Sequence, residues 1–166
     1  MNYQVVMLAA LLMLAAVGCT PNRSPEVTTA VGELKVELTP VELTYSIRQG
    51  KFNPFPARFR ITNLSSTPCS IAVWSCSYFE HWRTDSKEVS IGDWSCDSNI
   101  LGSRLLTATN DYNGDLPLVV KPTTKGRQIT LRLAFSPATK SMFGKPLEGV
   151  IGGTYWSNEI KITVTE

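Results

Sequence analysis

QITLRLAF, at positions 128–135, alternates apolar and polar side chains with a period of two. Successive side chains of an extended strand point to opposite sides, so Leu131 and Leu133 would lie on one face together with the other apolar residues of the stretch. Arg132 would point to the opposite face, into water. Alternation of this length predicts a β-strand that buries one face against a core.

The same period recurs on both sides of this stretch. No segment of 12 residues shows the 3.6-residue period of an amphipathic helix. Shorter apolar runs predict further strands, and prolines, glycines and asparagines separate the runs. The chain is therefore predicted to be all-β, with seven to nine strands. The alternating segments lie at 33–38, 41–47 (with Val41, Leu43, Tyr45 and Ile47 facing inward), 58–62 and 159–164, and the shorter strands at 70–74, 89–91 and 116–120.

Many short alternating strands predict two packed antiparallel sheets. At this chain length the favoured topology is an immunoglobulin-like β-sandwich, and a closed β-barrel is the alternative. Asn113-Gly114 predicts a hairpin turn, because this dipeptide suits the tightest connection between two strands. The segment 137–153 is rich in glycine and proline and is not assigned to an element.

An apolar run of 13 residues, Val5–Val17, precedes Gly18 and Cys19. The run is too short for a membrane span, which takes about 20 apolar residues. The six residues Leu14–Cys19 (LAAVGC) resemble the lipobox at which bacterial lipoprotein precursors are lipidated on the cysteine and cleaved just before it. This resemblance implies that residues 1–18 are a signal peptide and that Cys19 is the lipid attachment site.

The remainder of the chain is predicted to be a tether and one domain. Residues 19–32 are mostly polar and include two prolines, which is typical of a flexible linker, and residues 33–166 hold the alternating strands. Thr20 follows the cysteine of the lipobox-like segment. A residue other than aspartate at this position is similar to the pattern in lipoproteins that are sorted to the outer membrane. The implied location is the cell envelope, with the domain in an oxidising compartment. The net charge of +2 without a basic run argues against nucleic acid as a partner.

Three cysteines remain once Cys19 carries lipid. Only one intramolecular bridge can form among Cys69, Cys76 and Cys96. Seven extended residues separate Cys69 from Cys76 by roughly 23 Å, which is beyond the reach of a disulfide. Cys76 and Cys96 each end a Trp-Ser-Cys triplet and bracket a loop that could return on itself, so we predict a disulfide between them and expect Cys69 to be a small buried thiol.

The loop between these cysteines concentrates aromatic residues. If exposed, Tyr78, Phe79, His81 and Trp82 would contact a protein partner, or the loop Tyr78–Trp94 would stack on sugar rings. The alternative is that the aromatic side chains pack over the disulfide and the core.

Three segments of the chain resemble a pattern in uncharacterised bacterial lipoproteins. They are Trp74–Asp85, Trp94–Asn99 and Trp156–Glu159. The resemblance implies an exported all-β domain and supplies no catalytic residue.

Nothing in the sequence predicts a metal, a cofactor or catalysis. Cys69, Cys76, His81 and Cys96 lack the close cysteine pairs of a zinc site, and the segment Asp111–Asp115 departs from a calcium loop. His81 lies near Glu80 and Asp85 and is expected to be partly exposed and paired with a carboxylate.

The sequence thus predicts a non-catalytic interaction or structural module that a lipid anchors to the membrane. Its partner would be an envelope protein or a glycan. A carbohydrate-binding module is the alternative, followed by a hydrolase or a protease inhibitor.

Overall fold

A computed structural model of the chain describes residues 33–41, 44–46, 54–92, 98–121 and 126–165. These residues form an all-β fold of antiparallel sheets together with one 3-10 helix of four residues. The predicted all-β sandwich is confirmed, whereas the immunoglobulin-like order of its strands stays a prediction. No helix within the described ranges is long and apolar enough to cross a membrane.

The described ranges contain twelve strands, more than the seven to nine that the sequence predicts. The number is higher because the long alternating segment 128–135 divides into two strands in two sheets. In addition, some short strands form where the sequence shows no alternation. The strands are β1 Leu34–Pro40, β2 Thr44–Ser46, β3 Phe55–Asn63, β4 Cys69–Trp74, β5 Trp82–Thr84, β6 Val89–Ile91, β7 Leu101–Leu106, β8 Tyr112–Val120, β9 Gln128–Leu131, β10 Leu133–Phe135, β11 Tyr155–Trp156 and β12 Ile160–Thr165, and the 3-10 helix η1 is Tyr78–His81.

Four sheets surround the core. The first has the order β1-β3-β8-β6, the second β11-β10-β5, the third β2-β12-β9 and the fourth β4-β7. The strand pairs are antiparallel except β2 with β12, which is parallel. The alternation predicted for β1, β3 and β12 is confirmed, since every second residue of these strands is buried.

Val41 does not face the core as predicted, because it is 51% exposed. Its backbone N–H bonds to the carbonyl of Pro56 at 3.1 Å, so the residue continues the pairing of β1 with β3. In the alternation of β1 an odd-numbered position points outward, as Thr39 does. The other inward positions predicted for this segment lie at 43, 45 and 47, and their side chains are outside the described residues.

The segment 128–135 passes from one sheet to another at Arg132. Its first half, β9, pairs with β12, and its second half, β10, pairs with β5 and β11. Between them the N–H of Arg132 bonds to Asp85 Oδ1 at 2.8 Å instead of to a strand carbonyl. Leu131 and Leu133 are 1% and 0% exposed, and the Arg132 side chain is about half exposed. The predicted orientation of all three side chains is confirmed.

Gly114 lies inside β8, so the predicted hairpin turn at Asn113-Gly114 is wrong. Gly114 pairs with Phe59 of β3, and a Cβ atom at this position would come within 2.9 Å of the Phe59 ring. Glycine is therefore needed for the close approach of a core ring and not for a turn. The reversal before β8 occurs instead at Thr107–Asn110, where the two residues form an isolated bridge.

The unassigned segment 137–153 closes one edge of β4. The carbonyl of Ser70 accepts the N–H of Ile151 at 2.8 Å, and the carbonyl of Ala72 accepts the N–H of Ala138 at 2.9 Å. Ile151 is fully buried. A segment of this kind protects an edge strand whose free N–H and C=O groups would otherwise be open to pairing with another chain.

Candidate functional site

Trp82 belongs to the core. Its side chain is 6% exposed, and its ring centroid lies 4.7 Å from that of Phe59 and 5.0 Å from that of Phe135. The indole N–H is buried and has no hydrogen-bond partner. Because its contacts are aromatic and internal, Trp82 is not available to a partner in solution, which corrects one of the four predicted contact residues.

His81 is also buried, with 6% exposure. Its Nε2 accepts the N–H of Trp74 at 2.9 Å, and its Nδ1 lies 3.1 Å from the carbonyl of Ser136. An acceptor at Nε2 and a donor at Nδ1 define the neutral imidazole. The expectation of a partly exposed histidine paired with a carboxylate is wrong, since Asp85 binds Arg132 instead. His81 joins η1 to β4 and to the end of β10, and its ring is not exposed to a partner in solution.

Burial lowers the pKa of His81 from its ordinary value of 6.5, although the carbonyl of Ser136 and the charge of Glu80 act in the opposite direction. In the unfolded chain the imidazole titrates near 6.5. As the pH falls through this value the unfolded state binds the proton first, so the free energy of unfolding decreases until the pH is below the pKa of the folded state. The slope is at most about 1.4 kcal/mol per pH unit.

This pH dependence can be measured by denaturant unfolding between about pH 8 and pH 5. His81→Gln is the matched variant, because an amide can accept from Trp74 and donate to Ser136 without titrating. His81 is the only histidine of the chain, so this loss of stability should be absent from the variant. Equal pH dependence in the two proteins would show that His81 is not the titrating group.

Tyr78 and Phe79 are half-buried and pack against the core. The hydroxyl of Tyr78 donates to the carbonyl of Asp115 at 2.7 Å. This bond ties η1 to β8. The prediction that these two residues contact a partner is not excluded by their exposure, and it stays a prediction.

Cys69 is a free, buried thiol, as expected, and burial raises its pKa. A buried thiol with a raised pKa is a poor nucleophile. Cys76 is disulfide-bonded. Cys96 and the lipid attachment residue Cys19 lie outside the described residues, so the Cys76–Cys96 pairing and the lipidation stay predictions.

Trp156 is the exposed aromatic residue of the second sheet. It lies on β11 and is 43% exposed. The register places Arg83 of β5 and Trp156 on either side of Ala134 of β10, so the two side chains share a face of the sheet. The guanidinium carbons of Arg83 and Arg132 lie 5.6 Å and 5.3 Å from the centroid of the Trp156 ring. We call Arg83, Arg132 and Trp156 the Trp156 surface.

The two arginines of the Trp156 surface differ in their partners. Arg132 is held by Asp85, whose Oδ2 accepts its Nε–H at 3.0 Å. Burial alone would raise the pKa of Asp85, but the hydrogen bonds and the charge of Arg132 outweigh it and lower that pKa. Arg83 has no acidic group within 4.0 Å in the part of the chain that the structure describes. The surface therefore carries an uncompensated positive charge beside an exposed aromatic ring.

A shallow groove of about 510 Å³ adjoins Trp156. It runs along the outer edge of β1 and past Leu64, which is 53% exposed. The open edge of β1 ends at Leu38, where the side-chain amide of Asn158 occupies both backbone groups. The amide accepts from the N–H of Leu38 at 2.7 Å and donates to its carbonyl at 3.0 Å. The Trp156 surface thus continues into a groove with both apolar and polar walls.

A second groove, also of about 510 Å³, lies on the outer face of the first sheet. Its charged side chains are already paired, Arg58 with Asp115 at 3.3 Å, Arg60 with Asp111, and Glu37 with Lys35 at 2.7 Å. Exposed ion pairs of this kind contribute little to stability and leave no free charge for a ligand. The Trp156 surface is for this reason the better candidate for binding.

The sequence does not identify Arg83 and Arg132 as site residues. The outward orientation of Arg132 was readable from its strand, but its distance from Trp156 depends on the pairing of β10 with β11. Within the described ranges no three His, Cys, Asp or Glu side chains are grouped so as to hold a metal ion. No protein-family profile, curated protein sequence or solved structure matches the chain.

Proposed function

We propose that this chain is a lipid-anchored protein of the cell envelope, held at the outer membrane, whose β-sandwich domain is a non-catalytic interaction module. The observation that carries the proposal is the Trp156 surface, where two guanidinium groups lie over the ring of an exposed indole. Tryptophan and arginine are the residues most enriched among those that dominate binding energy at protein interfaces.

The charge of the surface indicates the chemistry of the partner. Asp85 compensates Arg132, whereas Arg83 is free to pair with an acidic group. A partner that places a carboxylate or phosphate near Arg83 and an apolar group over Trp156 would satisfy both features. The adjoining groove would accept a further part of the same partner.

The experiment is a pull-down from envelope extracts with the full-length protein, followed by an affinity measurement on the partner that is retained. Trp156→Ala and Arg83→Glu should each weaken binding about thirtyfold, the equivalent of 2 kcal/mol at a dominant interface residue. Arg104→Glu is the matched control. Arg104 is exposed on β7, so this substitution makes the same change of charge outside the Trp156 surface. Equal binding by all four proteins would exclude this surface.

Carbohydrate binding is the second candidate. The sequence bases this candidate on the loop Tyr78–Trp94, but the side chains of His81 and Trp82 in this loop are buried and would not contact a sugar. The ring of Trp156 is 43% exposed, and a sugar would stack on it by displacing Arg83 or Arg132 from the ring. Retention on immobilised peptidoglycan that Trp156→Ala abolishes and Arg104→Glu preserves would favour this candidate over a protein partner.

The anchor is tested separately from the surface. Cys19→Ser removes the thiol to which the lipid would be attached, so we expect no incorporation of labelled fatty acid and an uncleaved precursor. The measurement is metabolic labelling followed by electrophoresis. If the variant is processed and released like the parent, the proposed lipid anchor is wrong.

A further inference from the structure

The tip of the segment 137–153 carries two exposed apolar side chains. Phe143 is 82% exposed and Met142 is 68% exposed. Among the described residues Phe143 is the most exposed large hydrophobic side chain. Single exposed apolar residues are common, but adjoining ones form a patch, and exposed apolar patches mark contacts with a partner or a membrane.

The tip has a defined backbone structure. The carbonyl of Ser141 accepts the N–H of Gly144 at 2.9 Å, and the N–H of Ser141 donates to the carbonyl of Lys145 at 2.8 Å. Gly144 has a φ of +75°, which a glycine adopts without strain. These bonds form a tight turn with Met142 and Phe143 at its two central positions. The turn therefore holds both side chains away from the domain.

Two lysines flank the turn. Lys140 and Lys145 are exposed, and neither has an acidic group within 4.0 Å among the described residues. The nearest acidic residue in sequence is Glu148, and positions 136–147 contain none. The tip thus combines an apolar end with a positive collar, the arrangement found in segments that lie in the interface of an anionic bilayer.

The base of the tip lies near the end of the domain where its first strand begins. Leu34 is opposite Asn63, and the side-chain amide of Asn63 donates to the carbonyl of Leu106 at 3.3 Å. Leu106 pairs with the residue before Ser70, and Ser70 binds Ile151 at the base of the segment. The described chain begins at Glu33, next to Leu34, so a segment that precedes it is joined to the domain at this same end.

We propose that the tip, Lys140–Lys145, is a second membrane contact that inserts Met142 and Phe143 among the headgroups of an anionic phospholipid bilayer. The contact rests on the proposed lipid anchor, which would hold this end of the domain at the membrane. A convex tip with two apolar side chains and two cations suits a fluid bilayer, which needs no complementary pocket. The tip would orient the domain and leave the Trp156 surface to a partner.

The test places an environment-sensitive dye at the tip of the full-length protein extracted from envelopes. Phe143→Cys carries the dye, and Ile100→Cys is the matched control, since Ile100 is also 68% exposed but lies outside the tip. Each protein is reconstituted in vesicles that contain a nitroxide-labelled lipid as quencher. One set is phosphatidylcholine alone, and the other is three parts phosphatidylcholine to one part phosphatidylglycerol.

In the anionic vesicles we expect the dye at position 143 to be quenched several-fold more than the dye at position 100. In the neutral vesicles we expect the dye at position 143 to be quenched less than in the anionic ones. Lys140→Glu combined with Lys145→Glu should remove the difference between the vesicles. Equal quenching at the two positions in protein that floats with the vesicles would overturn the tip contact and leave the anchor intact. Protein that does not float with the vesicles would overturn both.

Discussion

Trp82→Ala is expected to lower the free energy of unfolding by about 3–5 kcal/mol. The indole ring packs between Phe59 and Phe135, and truncation would leave a cavity among rings that are themselves held by the surrounding strands. Truncation also removes the unpaired indole N–H, whose burial is itself unfavourable, and this offsets part of the cost. Urea unfolding of the full-length protein and the variant measures the difference.

Phe143→Ala is the control for Trp82→Ala, because it also removes a large aromatic side chain but from a position that is 82% exposed. We expect a change within about 0.5 kcal/mol. If Trp82→Ala also leaves stability unchanged and instead weakens binding of a partner, the loop after Cys76 is a binding loop and the core assignment of Trp82 is wrong.

Leu133→Ala is expected to cost about 2–5 kcal/mol. Leu133 is 0% exposed and begins β10, the central strand of the second sheet. Both polar groups of its backbone are bonded to Ser157, since its N–H donates to Ser157 Oγ at 3.0 Å and its carbonyl accepts the N–H of Ser157 at 2.8 Å. The cavity therefore forms at a position where the backbone has little freedom to relax.

Leu105→Ala is the matched control for this second prediction. Leu105 is 55% exposed on β7, so the same truncation should change the free energy of unfolding by no more than about 0.5 kcal/mol. Arg132→Ala should also cost much less than Leu133→Ala, because the arginine side chain is about half exposed. Equal losses for Leu133 and Leu105 would contradict the register of β10.

The period of two predicted which residues face the core in β1, β3 and β12, but not at Val41. Leu131, Leu133 and Arg132 point as their alternation predicts, and β6 has the bounds 89–91 expected from the sequence. This succeeds because the orientation of a side chain in a strand is a local property of the backbone. The same rule is not sufficient where a residue has more than one local interpretation. The sequence around Gly114 is compatible with a hairpin turn and with a strand. The strand is needed to explain the glycine, because the Phe59 ring occupies the space that a Cβ atom would take.

The candidate site shows the same division. The sequence predicts that the aromatic residues after Cys76 contact a partner. In the structure, however, Trp82 and His81 are buried and Trp156 is exposed. Burial depends on which strands pack above a residue, and the rings of Phe59 and Phe135 that enclose Trp82 lie far from it in the chain. A loop rich in aromatic residues therefore does not by itself predict a binding surface.

By itself the sequence determined that the chain is all-β and which faces of most strands are apolar, whereas the resemblance of the segment before Cys19 to a lipobox stays a prediction. These features depend on neighbouring residues and on a repeat of two, so no knowledge of the fold is needed. Only the tertiary structure decided that Arg83, Arg132 and Trp156 meet. The physical reason is that β10 pairs with β5 on one side and β11 on the other, and pairing between strands distant in the chain is settled by the packing of the whole core.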